Sequence, residues 1–411
     1  MTIEELTFRK LVQNLTEIRE LFLDESVFLS FEPGSLMNVS SSLTSVSLNY
    51  CKLQGKFPEQ FLHRPNLKFL CLQGNPELVG YLPKSNWSGP LELLRLWDTS
   101  VSGELPDSID NLESLKHLDF RFCNFSGSMP RSLGNLSKLI YLDLAINRFS
   151  SHIPSSIINL TDLTILGLSS NQLVGSIPNM AALFHSMLYI DLSYNLLNGT
   201  LPSWLYSLSS LQYLYLQNNQ LIGHIHEFQQ TSLIKVDTRN NKFRGSISNS
   251  ISRLVNLTEL DLSSNNLSGN LELDIFSELK NLFLLGLSHN SLSLTFNKND
   301  NPTLPIPGQL VDLTSPSSLN LSYNQFVGPI PQGKQFNTFE NGSFEGNLGL
   351  CGFPLSKDCN EDKSRQPVPS SVHDLESEIG FGWKVVLLGY GCGLLGAQKP
   401  KKGRKDHELG D

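Results

Sequence analysis

Ten side chains suited to binding recur in the chain at fixed offsets: Arg95, Trp97, His117, Arg121, Tyr141, Tyr189, Tyr213, Tyr215, Lys235 and Arg239. Arginine, tryptophan and tyrosine are frequent energetic centres of interfaces, because each joins a large contact area to hydrogen-bonding capacity. Arg95, Trp97, His117 and Arg121 fall in two successive repeats and are expected to form one patch. An aspartate recurs nearby in five repeats, at Asp119, Asp143, Asp191, Asp237 and Asp261. Its place in the repeat pattern marks it as structural, not as half of a catalytic carboxylate pair.

Little else in the sequence suggests catalysis. The six cysteines, Cys51, Cys71, Cys123, Cys351, Cys359 and Cys392, form no CxxC pair and no Cys/His cluster with metal-ligand spacing. Gly391 to Gly396 spells GxGxxG, but no strand-helix-strand unit follows, so it is no dinucleotide fingerprint. Kinase triplets HRD and DFG are missing. No enzyme activity, cofactor or metal is expected. A net charge of −8 argues against a nucleic-acid partner, which would require clustered Lys and Arg.

The elements that must position the ten side chains come from internal periodicity. The pattern LxxLxLxxNxLxGxIP, seen in LTILGLSSNQLVGSIP from Leu163 to Pro178, starts at Leu43, Leu67, Leu91, Leu115, Leu139, Leu163, Met187 and Leu211 in steps of 24 residues. It continues at Leu233, Leu257 and Leu282, with an earlier coil at Ile18 and a degenerate last one at Pro316. Leu166 and Leu168 alternate with Ile165, Gly167 and Ser169, which predicts a short strand with one face inside. Asn171 then turns the chain and satisfies bent backbone groups. Stacking repeats this as a ladder of Asn147, Asn171, Asn195, Asn219, Asn241, Asn265, Asn290 and Asn324, with Cys51, Thr99 and Cys123 in early coils. The fold expected is an α/β leucine-rich-repeat solenoid of about 13 coils: a parallel concave sheet with short helical or 3₁₀ turns on the convex side. At roughly 4.8 Å per strand the sheet is on the order of 60 Å long.

The coils and the end of the array resemble a known family. Twenty-four-residue coils with GxIP, such as Gly175 to Pro178, resemble the plant extracellular class of leucine-rich repeats. GPIPQGKQFNTFENGSFEGNLGLCGFPLSKDC, from Gly328 to Cys359, resembles the C-terminal cap of plant receptor-like proteins of the disease-resistance, kinase-less type. Gln366 to Glu378 is similar to the family's acidic juxtamembrane stretch, and GFGWKVVLLGYGCGLL, from Gly380 to Leu395, to the start of its membrane helix.

The resemblance implies a plasma-membrane protein with extracellular repeats. Such a protein binds a peptide, glycan or protein ligand on the concave face and signals, in immunity or development, through a partner receptor kinase. It also implies a disulfide between Cys351 and Cys359. The implied domains are a solenoid over 1–294, a degenerate island or deletion junction over 295–315, a last repeat and cap over 316–360, an acidic linker over 361–380, a partial transmembrane segment over 381–397 and a basic tail over 398–411. Two family features are not in the sequence, a signal peptide and a cysteine-bearing N-terminal cap, and the apolar run Val385 to Ala397 is shorter than the roughly 20 residues a membrane span needs. The chain is therefore expected to be an incomplete or variant member. Alternatives are a soluble inhibitor similar to the polygalacturonase-inhibiting proteins, which Gly380 to Leu395 disfavours, and a nonfunctional truncated receptor.

Eleven N-x-S/T sequons are possible glycan acceptors in a secreted protein: Asn14, Asn38, Asn86, Asn124, Asn135, Asn159, Asn198, Asn256, Asn266, Asn320 and Asn341.

Overall fold

The computed structural model describes residues 17–25, 40–84, 87, 89–179, 186–276, 278–294 and 318–359. Each coil opens with a three-residue strand, from Glu20–Phe22 and Ser45–Ser47 through Leu284–Gly286 to Ser318–Asn320. Among the described residues thirteen such strands form one parallel sheet in chain order. The middle residue of each strand points inward; Leu70, Leu94, Leu118 and Leu142 have no exposed surface. Their neighbours on either side face the concave surface.

The asparagine ladder locks each coil to the one before it. Asn171 Nδ2 donates to Leu168 O and Ser169 O in its own coil and to Leu144 O in the preceding coil, while its Oδ1 accepts the Phe149 N–H at 2.9 Å. Cys51 and Cys123 substitute by donating Sγ–H to Leu23 O and Leu96 O, and Thr99 Oγ1 donates to Leu96 O. Two further rungs were not anticipated. Asn75 serves the coil between Cys51 and Thr99, and Asn347 makes the same bonds from within the cap. The residue before each rung turns left-handed, as at Phe122, Ile146, Ser170 and Tyr194, with φ between 52° and 55°.

After the ladder residue the chain enters a second parallel sheet of eleven strands, among them Asn124–Ser128, Arg148–His152 and Gln172–Ser176. This second sheet is additional to the expected concave sheet and convex turns. The L-x-G-x-I stretch alternates with period two and so reads as a strand. Gly175 is required within it: its φ is +79°, and a Cβ there would lie 2.1 Å from the His152 ring of the preceding coil. Short 3₁₀ turns then follow, such as Asp107–Asn111, Arg131–Asn135 and Ser155–Asn159, each entered through a proline. The 22-residue coil from Leu211 has no such turn; Phe228 is buried there and packs 5.1 Å from the Tyr206 ring.

The C-terminal end of the sheet is closed by the cap. Leu321 and Tyr323 donate their N–H groups to Ser343 O and Glu345 O, and strand Gly349–Cys351 pairs with Val327–Pro329. Phe336, Phe339 and Phe344 fill the space beneath, and Cys351 is bonded to Cys359. Strand Leu284–Gly286 pairs directly with Ser318–Asn320, so the main sheet passes from one to the other without a break in register. The island itself, 295–315, lies outside the described residues, as do the linker, the partial membrane segment and the basic tail. Among the described residues no helix is long and apolar enough to cross a membrane.

The ladder predicts a cost for breaking it. Replacing Asn171 with leucine strands the Phe149 N–H and removes one of the two donors to each of Leu144 O, Leu168 O and Ser169 O, which keep Asn147 Nδ2, Asn195 Nδ2 and the Ile146 N–H. It is expected to destabilise the coils on either side by about 1–3 kcal/mol. Hydrogen exchange should show protection lost first around 144–173; unchanged exchange there would remove the ladder from its structural role.

Candidate functional site

Exact strand register turns the repeat into rows on the concave face. His117, Tyr141, Ile165, Tyr189, Tyr213 and Lys235 follow one another across neighbouring strands. A second row runs Arg95, Asp119, Asp143, Gly167, Asp191, Tyr215, Asp237 and Asp261. A third, two residues beyond, carries Trp97, Arg121, Ala145, Ser169, Ser193, Gln217 and Arg239. All ten candidate side chains lie on these rows.

Arg95, Trp97, His117 and Arg121 do come together, but Arg121 is already occupied. Its Nε and one terminal nitrogen fork onto Asp119 at 3.0 and 2.9 Å, and Nε is 3.4 Å from Asp143. Its guanidinium lies 5.3 Å from the centre of the Trp97 ring, a cation–π arrangement, and Tyr50 meets Trp97 edge-on. Burial opposes the Arg121 charge, yet the Asp119 carboxylate and Asp143 together raise its pKa. Asp143 is pushed up to about 7 by burial, against the pull of Arg121 and with the repulsion of Asp119. Tyr141 is raised too, by burial and by the same two aspartates, and its hydroxyl donates to Asp143 Oδ2 at 3.3 Å.

Arg95 and His117 differ from Arg121. Arg95 Nε and His117 Nδ1 are buried and have no hydrogen-bond partner among the described residues. Burial, then Arg95 and Lys116, lower the His117 pKa, so the ring is neutral at pH 7. Groups left this way cost free energy until something satisfies them. A second centre holds the tyrosines: Tyr189 lies 6.1 Å from Tyr213 and 5.6 Å from Tyr215, ring centre to ring centre. Further on, Lys235 pairs with Glu259, and Arg239 with Asp237 and Asp261.

The recurring aspartates have the structural role expected of them. Oδ1 of Asp119, Asp143, Asp191, Asp237 and Asp261 accepts the N–H two residues later and holds the strand exit. Sequence pattern missed the second use of four of them, as partners of Arg121 and Arg239; each arginine takes the aspartate two residues before it and one from the next coil, and the second contact depends on the fold. Tyr50 and Gln217 were also missed; their position in the rows was the available signal. Among the described residues no His/Cys/Asp/Glu group could hold a metal.

The sequons sit mostly off the concave rows. Asn135 and Asn159 end exposed 3₁₀ turns, Asn256 is exposed, and Asn198 and Asn266 are exposed on the second sheet. Asn124 is half-buried, Asn341 lies exposed in the cap, and Asn320 is on the last concave strand. Asn14, Asn38 and Asn86 lie outside the described residues.

The Asp143 shift has a pH consequence. The folded protein holds this proton to about pH 7, whereas an ordinary aspartate releases it near 3.8. The folded state therefore binds more protons in that window, and stability falls as pH rises from about 4 to 7. Asp143→Asn is expected to flatten that fall, gaining stability above pH 7 and changing little near pH 4, as followed by thermal midpoints across the range. An unchanged slope would contradict the assignment.

Comparison with known proteins agrees with this geometry. A family model described as a leucine-rich repeat region matches residues 89–304. A receptor-like protein, Cf-9 homolog, of Solanum lycopersicum is 36% identical over 110 residues, covering 26% of this chain and 13% of the relative. Receptor-like protein 6 of Arabidopsis thaliana is 36% identical over 119 residues, covering 29% and 12%. The match thus spans about an eighth of these relatives' length. Among solved structures, a TDR receptor shares 28% identity with a TM-score of 0.63, over 77% of this chain and 61% of that one. The ectodomain of the Arabidopsis receptor kinase HAESA, in complex with an IDA peptide hormone, shares 25% with a TM-score of 0.58, over 87% and 69%.

Proposed function

The chain belongs to the leucine-rich-repeat family, and on that premise we propose that it is the recognition part of a plant cell-surface receptor-like protein. Its concave face binds an extracellular ligand, a peptide before a glycan or a folded protein, and it signals through a partner receptor kinase in defence or development. The observation that carries this proposal is the pair of unpartnered buried groups, Arg95 Nε and His117 Nδ1, on adjacent strands beside the Trp97 ring. A ligand that hydrogen-bonds there removes a cost the free protein bears. The matched relatives are receptor-like proteins, and one solved neighbour holds a peptide hormone. The same likeness supports membrane attachment and extracellular orientation as part of this proposal.

Arg121 is a poor choice for testing the patch, because its removal leaves Asp119 and Asp143 buried without a cation. Arg95→Ala, His117→Ala and Trp97→Ala avoid this. Binding of the secreted chain to a peptide library and to a cell-wall glycan array is expected to fall about tenfold or more for at least one of the three. Unchanged binding in all three would remove the patch.

Secretion brings two further sites into use. Glycans are expected on the exposed Asn135, Asn159, Asn198, Asn256, Asn266 and Asn341, read by peptide mass mapping after expression in a secretory host. In the same digest Cys351 and Cys359 should appear joined; free thiols at both would overturn the cap assignment.

A further inference from the structure

The five row aspartates are not equivalent. Oδ1 is engaged by the backbone in all of them, so Oδ2 is the oxygen left to face the concave side. Arg121 takes Asp119 Oδ2 at 2.9 Å and Asp143 Oδ2 at 3.4 Å; Arg239 takes Asp237 Oδ2 at 3.5 Å and Asp261 Oδ2 at 3.3 Å. Each arginine thus clamps the aspartate of its own coil and that of the next. By this rule the cation for Asp191 would come from the third-row residue of its own coil or of the coil before. Those residues are Ser193 and Ser169. Among the described residues Asp191 has no cation, and its Oδ2 meets only the Tyr189 hydroxyl, at the long distance of 3.5 Å.

We propose that Asp191 anchors a subsite for a basic side chain, an arginine or lysine carried by a peptide ligand, with Tyr189, Tyr213 and Tyr215 as its aromatic walls. This deepens the proposed receptor function and rests on it. Asp191 is only partly buried, so Oδ2 can be reached. It lies in register with Tyr215 of the next strand, and Tyr189 is two residues away on the same face. The nearby Lys235 does not fill the position, because it pairs with Glu259 on its far side. The protein builds the same arrangement for itself once, where Arg121 forks onto Asp119 above the Trp97 ring. At Asp191 the carboxylate and the rings are present and the cation is not.

A second observation points the same way. Gln217, two residues after Tyr215, is 9% exposed, and its Oε1 is buried with no partner. A carbonyl oxygen in that state calls for a hydrogen-bond donor. A guanidinium or ammonium brings several donors; a carboxylate brings none. Tyrosine faces beside an uncompensated carboxylate favour a cation in the same sense, through the ring quadrupole.

The test uses the full chain, secreted, against a library of N-acetylated, C-amidated dodecapeptides, so that chain termini supply no charge. The wild-type chain is expected to enrich peptides with an arginine or lysine at one fixed position. Asp191→Asn keeps Oδ1 for the Ser193 N–H and is expected to fold normally. It should bind those peptides about tenfold more weakly or worse. Replacing the peptide's basic residue with citrulline should weaken wild-type binding by a similar factor and leave Asp191→Asn binding unchanged, since the two losses are one interaction. Equal enrichment of basic peptides by both chains overturns the subsite, as does citrulline binding as well as arginine. Enrichment of neutral oligosaccharides with no peptide also overturns it. If Arg95→Ala, His117→Ala or Trp97→Ala weakens binding while Asp191→Asn does not, the subsite fails and the receptor function stands.

Discussion

Every feature of the molecule depends on how buried backbone groups are satisfied at the turn after each concave strand. There the chain changes direction inside the protein, where an unpaired N–H or C=O is costly. One asparagine amide supplies two donors and an acceptor in a rigid plane and bonds to two coils at once. Thirteen strands stay in register because each rung fixes its coil against the one before. Exact register in turn places side chains in rows and makes a continuous concave face from coils that could not fold singly.

The concave face is built from three-residue strands, too short to hold a long side chain by their own packing. Order in the rows comes from pairs across coils: Arg121 between two aspartates, Arg239 between two more, Lys235 with Glu259. These pairs tie the rows together across coils, each clamp setting one arginine between two aspartates. The exceptions on these rows are Arg95 Nε, His117 Nδ1 and Gln217 Oε1, which have no hydrogen-bond partner among the described residues, and the Asp191 carboxylate, which has hydrogen bonds but no cation.

Much of this was legible in the sequence. Period 24 gave the number of coils, the ladder and the positions facing the concave side, because those follow from spacing alone. Of the two further rungs, Asn75 was available from the spacing, 24 residues after Cys51 and 24 before Thr99, whereas Asn347 sits in a cap without leucine spacing. The second sheet was hidden by its glycines, which look like turn residues but mark the close approach of rings such as His152. The candidate site was legible as a set of residues and not as a set of roles. Whether an arginine is free or clamped depends on an aspartate 22 residues away, as between Arg239 and Asp261, and only the fold brings the two together.

The junction between Leu284–Gly286 and Ser318–Asn320 bears on how such an array changes length over generations. Here the step between paired strands is 34 residues, ten more than the repeat, and both the sheet and the ladder bond from Leu292 N to Asn324 Oδ1 continue across it. A duplication or loss of whole coils leaves every remaining coil with the same kind of neighbour. Ten extra residues are accommodated here, between the end of the second strand and the start of the next concave strand. Recombination within the gene can therefore lengthen, shorten or decorate the recognition surface while the hydrogen bonds that hold it are inherited intact.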